Sequence, residues 1–502
     1  MKDKIIFWLG NDYTHYCLAY ALQRSYDCEM YAITEVTERP RPFFQNQKLV
    51  NFKKIWFLHD EIKSKSSKID LEYLAQFEKK YKVNLWQLVQ NERIFLYYDY
   101  FHKFSSEEIL NILEHECRFF EYILDEIKPD FFFTKISSFH HLELFYQMCK
   151  NSGVKTQVLT YGILGQRCLI AQDPTKLDYV EKLNNLKGEN QNFNDIENYL
   201  HSFDLAKQLH NKIINPGSAI VELLKPAKEF FLHSDSKNIK THYTYYGRTK
   251  LKVFFHFLNI NLKERFRGLF INKNLKMELK KSESFVYYPL STELERSLLI
   301  GAPFYINQIE VIKWIAKSLP INFKLYVKEH PAQIKRGWRS SADYKEIMNI
   351  PNVVLIHPSF SNEYLYKNCS LLVTIVGSAG FEAASYGKPV ITFVDTIYSI
   401  LHYVHTVKNL QELPKLIRES LTEKIEPADM DRYISLLEKN TSKFDYADFR
   451  LKLSEEFFYG TNLMDVEISE TKMKLFLEKN YPILQILAED HIKKIKHFKE
   501  IE

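Results

Sequence analysis

Apolar residues along the chain gather into short runs of strand length, separated by stretches with helical spacing. This alternation occurs twice. The run Lys4–Leu9 reads as a buried strand, followed by a polar turn from Asn11 to Thr14, the helical stretch CLAYALQRSY and a second strand, CEMYAITEV. From 105 to 128, Ile109, Leu110, Leu113, Phe120, Ile123 and Leu124 fall near one helical face, and Lys128-Pro129-Asp130 ends the pattern. FFFTKI reads as a strand, a helix follows from about His141 to Lys150, Asn151-Ser152-Gly153 stops it, and TQVLTYGI is the next strand. Residues 1–180 are therefore expected to form a doubly wound α/β lobe.

Between 181 and 283 the pattern changes to polar, Asn-rich stretches such as NNLKGENQNFND between helical segments, and a helical connecting region is expected there. Strand-like runs return with FVYYPL, FKLYVKEHP, NVVLIH, SLLVTIV and PVITFV, with helices INQIEVIKWIAKSL and FEAASYG among them. That predicts a second doubly wound parallel sheet over 284–445. From about 446 the tail reads as helical, and it is expected either to pack back on the first lobe or to lie on a surface.

Composition narrows this picture without changing it. A chain of 502 residues, 45% of them hydrophobic, is long enough for two cores, and 14 Gly with 16 Pro argue against a disordered or fibrous protein. Lys plus Arg outnumber Asp plus Glu by 68 to 63, an excess too mild to point to nucleic acid. The cysteines, Cys17, Cys28, Cys117, Cys149, Cys168 and Cys369, are scattered, as expected of free thiols in a reducing compartment. No run approaches the roughly 18 apolar residues of a membrane span, and the N-terminus lacks a small-residue cleavage site. A cytoplasmic protein is expected, with any membrane contact peripheral. The basic, apolar segments Arg248 to Arg267 and Lys493 to Lys499 are where such contact would fall.

Chemistry concentrates in the second alternation. In LLVTIVGSAGFEAASYGKPVITF, a buried strand ends at Gly377-Ser378-Ala379-Gly380, and a helix is expected from about Phe381. Small residues let a backbone approach a ligand, Ser378 offers a hydroxyl, and a helix start suits phosphate. Glu382, in the first helical turn, is placed to reach ribose hydroxyls. Gly and Ser also make ordinary strand-to-helix turns. KLYVKEHP ends a strand with Lys328, Glu329, His330 and Pro331, on the edge where open α/β sheets bind ligands. His330 there suits a phosphate contact or proton transfer, although a histidine after a strand is more often structural. YYPLSTELERS places Ser291, Thr292, Glu293 and Glu295 in a third loop, which can equally cap a helix. In the first lobe, Asp12 and His15 lie in a strand-to-helix turn, Asp99 in LYYDYFHKF, Ser137, Ser138 and His140 after FFFTKI, and Arg167 after TQVLTYGI. Each suits an acceptor contact or a catalytic base and reads individually as structural. Asp429-Met430-Asp431 mimics a metal-binding DxD but sits at a helix start, where acids are ordinary caps. His115-Glu116 lacks the second histidine of a zinc helix, and neither a P-loop nor a G-x-S-x-G elbow occurs.

The order YYPLSTELERS, FKLYVKEHP, PNVVLIHP and TIVGSAGFEAASYGKPVITFVD, from about Val286 to Val407, resembles the capsule polysaccharide biosynthesis family, which includes Kdo transferases. The His-Pro corner with a later Ser-containing turn is also similar to bacterial polysialyltransferases and teichoic-acid polymerases. The resemblance implies a GT-B-like fold and a glycosyltransferase. Its C-terminal lobe would bind a nucleotide sugar, a cytidine donor such as CMP-Kdo or a related acid, through His330, Pro331, Ser378 and Glu382. Ser291 stands where family members often carry Gln. Lys328, Gly377, Ala379 and Gly380 join the expected donor site. His330 is expected to stabilise the leaving phosphate, and Asp12 or Asp99 to act as base. His15, Ser138 and Arg167 are expected on the side of an oligosaccharide or lipid-linked glycan. No cofactor or obligatory metal is expected. A polyol-phosphate transferase, a sugar-nucleotide epimerase and a non-catalytic assembly or export factor are the alternatives.

Overall fold

A computed structural model describes residues 2–62, 68–180, 186, 192–201, 219–233, 236–279, 283–333 and 339–501. The chain divides into two compact units. The first comprises Met1–Pro174, Leu205–Phe254 and Asn440–Glu502, and the second Thr175–Asp204 with Phe255–Lys439.

The first unit is built on a seven-stranded sheet. Its strands are β1 (Asp3–Leu9), β2 (Cys28–Thr34), β3 (Phe52–Phe57), β4 (Phe131–Lys135), β5 (Lys155–Tyr161), β6 (Cys168–Ala171) and β13 (Thr441–Ser442), in the order β13-β6-β5-β4-β1-β2-β3. The five strands from β1 to β5 run parallel, and β6 and β13 add an antiparallel edge. Ile5–Leu9 and Phe131–Phe133 are buried, because helices cover both faces of a parallel sheet and leave no polar side. The helix Ser106–Ile127 shows how local sequence fixes its ends. Ser105 and Glu108 form a reciprocal capping box, and Lys128 at φ 51° closes the helix before Pro129.

The second unit holds a six-stranded parallel sheet. It comprises β7 (Phe285–Pro289), β8 (Lys324–Lys328), β9 (Val353–Ile356), β10 (Leu371–Thr374), β11 (Val390–Thr392) and β12 (Val404–Thr406), in the order β12-β11-β10-β7-β8-β9. Both sheets are doubly wound, as the two alternations predicted.

Three features differ from the sequence reading or settle its alternatives. The helix after β10 runs from Ala379 to Ser385 instead of starting at about Phe381. Residues 181–283 divide between the two units. Their described helices are Phe193–His201, Ala219–His233, Asn238–Thr241 and Lys250–Asn274. The tail packs back: Leu484, Leu487, Ala488, Ile492, Ile495 and Phe498 of the helix Tyr481–Ile501 enter the same core as Leu18 and Leu22. Lys499 pairs with Asp3 at 2.6 Å, so the C-terminal basic segment is part of the fold. All six cysteines are free. Among the described residues, no helix is long and apolar enough to cross a membrane.

Candidate functional site

In the second sheet, β7 comes first in the chain, β8 and β9 follow on one side, and β10 to β12 on the other. The direction of winding reverses between β7 and β10. Loops leaving their carboxyl ends must diverge there and open a crevice. A cavity of about 250 Å³ lies at this point. Ser291 and Thr292 reach it from β7, Lys328, His330 and Pro331 from β8, and Gly377, Ser378, Ala379 and Glu382 from β10. Residues separated by some ninety positions in sequence thus share one wall because their strands are neighbours.

Among the described residues of the pocket wall, one is a buried cation. Lys328 is 3% exposed, and its ammonium donates to Asn362 Oδ1. Burial pushes its pKa down to about 8, while Glu382 across the pocket acts the other way. The amine is thus poised between charge states near neutrality. A bound phosphate would favour the charged form.

His330 is oriented by its own loop. Its Nδ1 accepts from the Ala332 N–H at 3.1 Å. In the neutral ring the proton is therefore on Nε2. Its backbone N–H donates to Glu329 Oε1 at 2.6 Å. Glu329 is fully buried, and its other oxygen accepts from Arg339 Nε at 2.8 Å and from the Tyr344 hydroxyl at 2.7 Å. Arg339 also donates to Glu293 at 2.7 Å, so one guanidinium ties the loop after β7 to the loop after β8. The Gln308 amide completes the frame by donating to the Ser291 carbonyl and accepting from the Ser291 N–H. Arg339, Tyr344 and Gln308 carry no local motif, and only the fold brings them to these loops.

The glycine-rich turn is more differentiated than its sequence suggested. Gly377 lines the cavity, whereas Gly380 does not and is buried against Tyr398. A Cβ on Gly380 would lie 2.4 Å from the Tyr398 hydroxyl, which itself donates to the Gly377 carbonyl. Gly380 is needed for packing that shapes the turn. Ser378 occupies the N-cap position but makes no side-chain capping bond, so its hydroxyl is not spent on the helix. The buried Thr292 hydroxyl, with no hydrogen-bond partner among the described residues, also borders the cavity.

The first unit's residues form other arrangements. Asp12 follows β1, with Lys135 Nζ at 3.5 Å, Arg450 Nε at 3.6 Å and the Tyr446 hydroxyl at 3.3 Å. Burial opposes its charge, but Lys135 and Arg450 outweigh burial and hold the carboxyl at about 2. Gly10 leaves room for this pairing, since a Cβ there would meet Lys135 Nζ at 2.5 Å. His15 is buried, and burial lowers its pKa to about 4. Asp99 lies on an exposed turn, and Ser138 is half-buried with its carbonyl accepting from Arg93. Arg167 reaches Thr441 Oγ1 at 3.4 Å.

A second buried cluster joins Glu116, His140 and His141. His140 lies 3.0 Å from Glu92 and 3.1 Å from Glu116, and His141 lies 2.8 Å from both Glu35 and the Tyr243 hydroxyl. Burial disfavours charge on His140, but its two carboxylate neighbours raise its pKa to about 10. Each imidazole nitrogen faces a protein partner, and the cluster reads as an internal ion network. At the mimic of a metal motif, Asp429 pairs with Arg432 and His402.

Comparison with known proteins adds the family. Residues 188–412 match the family described as capsule polysaccharide biosynthesis protein. The matched stretch contains every residue of the cavity wall. No curated protein matches the chain. Among solved structures, the KpsC beta Kdo 2,4 transferase of Thermosulfurimonas dismutans is 11% identical, with 61% of this chain and 78% of that one covered and a TM-score of 0.31. The beta Kdo 2,7 transferase of KpsC from the same organism is 13% identical, with 71% and 97% covered and a TM-score of 0.29. The Methanocaldococcus jannaschii UDP-GlcNAc 2-epimerase, solved with UDP-GlcNAc and UDP, is 13% identical, with 88% and 100% covered and a TM-score of 0.27.

Proposed function

We propose that the protein is a glycosyltransferase of capsule polysaccharide assembly, and that the cavity in its second unit holds the nucleotide part of an activated sugar. The observation that carries this reading is the convergence of Lys328, His330, Ser378 and Glu382 at the switch point of one parallel sheet, inside the family-matched stretch. Lys328 and the Nε2–H of His330 supply positive charge and a hydrogen-bond donor for a leaving phosphate. Charge developing there is met by groups already oriented, which is the main electrostatic device of transfer reactions. Ser378 and the small Gly377-Ala379 backbone accept the donor phosphate closely, and Glu382 accepts from ribose hydroxyls. The reading assigns charge neutralisation to side chains and calls for no metal.

The donor is proposed to be a cytidine nucleotide sugar such as CMP-Kdo or a related acid, and the acceptor an oligosaccharide or lipid-linked glycan at the inner face of the cell membrane. The acceptor base is assigned to the first unit. Asp99 is better suited than Asp12, whose carboxylate is held in ion pairs far below the range in which a base works at neutral pH.

A thermal-shift panel of CMP, CDP, UDP, GDP and their sugars tests the donor. A ligand that binds the folded state raises the unfolding temperature by mass action. CMP and CMP-sugars are expected to give the largest rise. A rise with UDP alone would move the donor class, and no rise with any nucleotide would sink the transferase reading. Nucleotide release that depends on an added glycan acceptor separates transfer from epimerisation.

A further inference from the structure

The helix Lys250–Asn274 is poorly covered. Along it, Leu251, Phe254, Phe255, Phe257, Leu258, Ile260, Leu262, Phe266 and Leu269 are exposed, with Phe255 at 64% and Phe266 at 73%, and Ile271 is the one buried hydrophobic residue. Successive helical positions turn by about 100°. Ile260, Phe257, Phe254, Phe255 and Phe266 therefore project over an arc of about 240°, more than half of the helix circumference. A helix that is apolar on several sides normally lies inside a core, and an exposed apolar surface of this extent marks an interaction site.

Charge says what covers it. The helix carries Lys250, Lys252, Lys263, Arg265, Arg267 and Lys273 against Glu264 alone, a local excess of five, and the formal net charge of the whole chain is +5. The remainder of the chain is thus balanced, and this one element holds the excess. The cations flank the apolar stretch 253–262, with Lys250 and Lys252 before it and Lys263, Arg265 and Arg267 after it. Cations at both ends of an exposed apolar stretch match an anionic lipid surface, where apolar side chains enter the acyl boundary and the cations meet headgroup phosphates. A stretch of that length is about 15 Å long, too short for the roughly 30 Å of a hydrocarbon core but long enough to sink into the boundary between headgroups and acyl chains.

We propose that the helix Lys250–Asn274 docks this protein on anionic lipid, its apolar side chains at the headgroup–acyl boundary and Lys263, Arg265 and Arg267 on lipid phosphates. The inference stands on exposure and charge and does not depend on the transferase reading. Attraction to an anionic surface by clustered basic residues falls with ionic strength, while the apolar contribution does not.

Flotation of the full-length protein with vesicles tests it. Binding to phosphatidylcholine vesicles containing phosphatidylglycerol is expected to be at least tenfold tighter than to phosphatidylcholine alone, and to weaken with salt. Combined Phe255→Ser, Phe257→Ser and Leu258→Ser substitution should abolish flotation, and Lys263→Glu with Arg265→Glu and Arg267→Glu should remove the preference for phosphatidylglycerol. All of these side chains are exposed except Arg267, which is half-buried and paired with Glu264 at 3.2 Å, so circular dichroism and nucleotide binding should remain those of the parent. Failure of the parent to float with phosphatidylglycerol vesicles would overturn the proposal, as would unchanged flotation of the triple serine variant. A parent that sediments as a dimer, becomes monomeric with the three serines and ignores vesicles would replace lipid by a second copy of the chain.

Discussion

The two sheets reverse their winding in the same way but treat the resulting crevice differently. Beside β1 and β4 of the first sheet, Asp12 is surrounded by Lys135, Arg450 and Tyr446, the last two from the helix Tyr446–Phe457. The chain's own late segment occupies that position, and the charges neutralise one another. Beside β7 and β10 of the second sheet, a cavity remains, walled by Lys328 and framed by a buried network one layer back. Topology provides a place for a ligand twice. Which place stays open depends on whether another part of the chain fills it.

The sharpest way to break this contrast is to remove the frame. Glu329→Ala would leave Arg339 buried without its main partner, and losing one member of a buried pair costs about 3–5 kcal/mol. The second unit should unfold at lower denaturant and nucleotide binding should vanish with it. Chemical denaturation with and without nucleotide measures both, and unchanged stability would show that the network is incidental.

His330→Ala tests the open crevice directly. The side chain is exposed, so its loss opens no core cavity. If it stabilises the leaving phosphate, turnover should fall on the order of a hundredfold, about 3 kcal/mol, with circular dichroism unchanged. Near-parent turnover would make the His-Pro corner a structural turn.

Asp12→Asn probes the filled crevice. The Asp12 carboxyl is held at about 2, below its ordinary 3.8, so its contribution to stability is complete above pH 4 and disappears as pH falls through about 2. The variant should lose on the order of 2 kcal/mol at neutral pH and only about 0.4 kcal/mol at pH 2. Urea titrations at the two pH values decide, and an equal loss at both would remove the ion pair as the cause.

Lys328 gives the open crevice a pH signature. Its pKa near 8 should rise when a nucleotide phosphate binds, because the anion favours the ammonium form. Affinity should therefore fall as pH rises above about 8, with proton uptake visible by calorimetry in buffers of different ionisation enthalpy. Affinity that stays flat to pH 10 would place the phosphate elsewhere. The smallest effect is expected for Ser378→Ala, a loss of severalfold in donor affinity with little change in turnover, since one neutral hydrogen bond contributes about 1 kcal/mol. A large fall in turnover would instead place that hydroxyl at the reacting atoms.

The sequence by itself determined both doubly wound sheets. Fully buried parallel strands must be continuous apolar runs, as FFF at Phe131–Phe133 and LLV at Leu371–Val373 are, and their separators carry helical spacing and caps such as Ser105 with Glu108. It also marked Lys328, His330 and Ser378, which line one cavity, because residues that follow strand ends gather at the crevice of such a sheet. The short edge strands β6 and β13 were not legible, because their few residues carry too little pattern. Only the tertiary structure decided that Gly380 packs under Tyr398, that Arg339 and Gln308 brace the pocket loops, and that His140 sits between Glu92 and Glu116. These depend on residues distant in sequence meeting in space, which periodicity and local motifs do not encode. The filling of the first crevice by Tyr446 and Arg450 is of the same kind. A helix more than four hundred residues after Asp12 brings its cation and hydroxyl to a turn whose own sequence gives no sign of them.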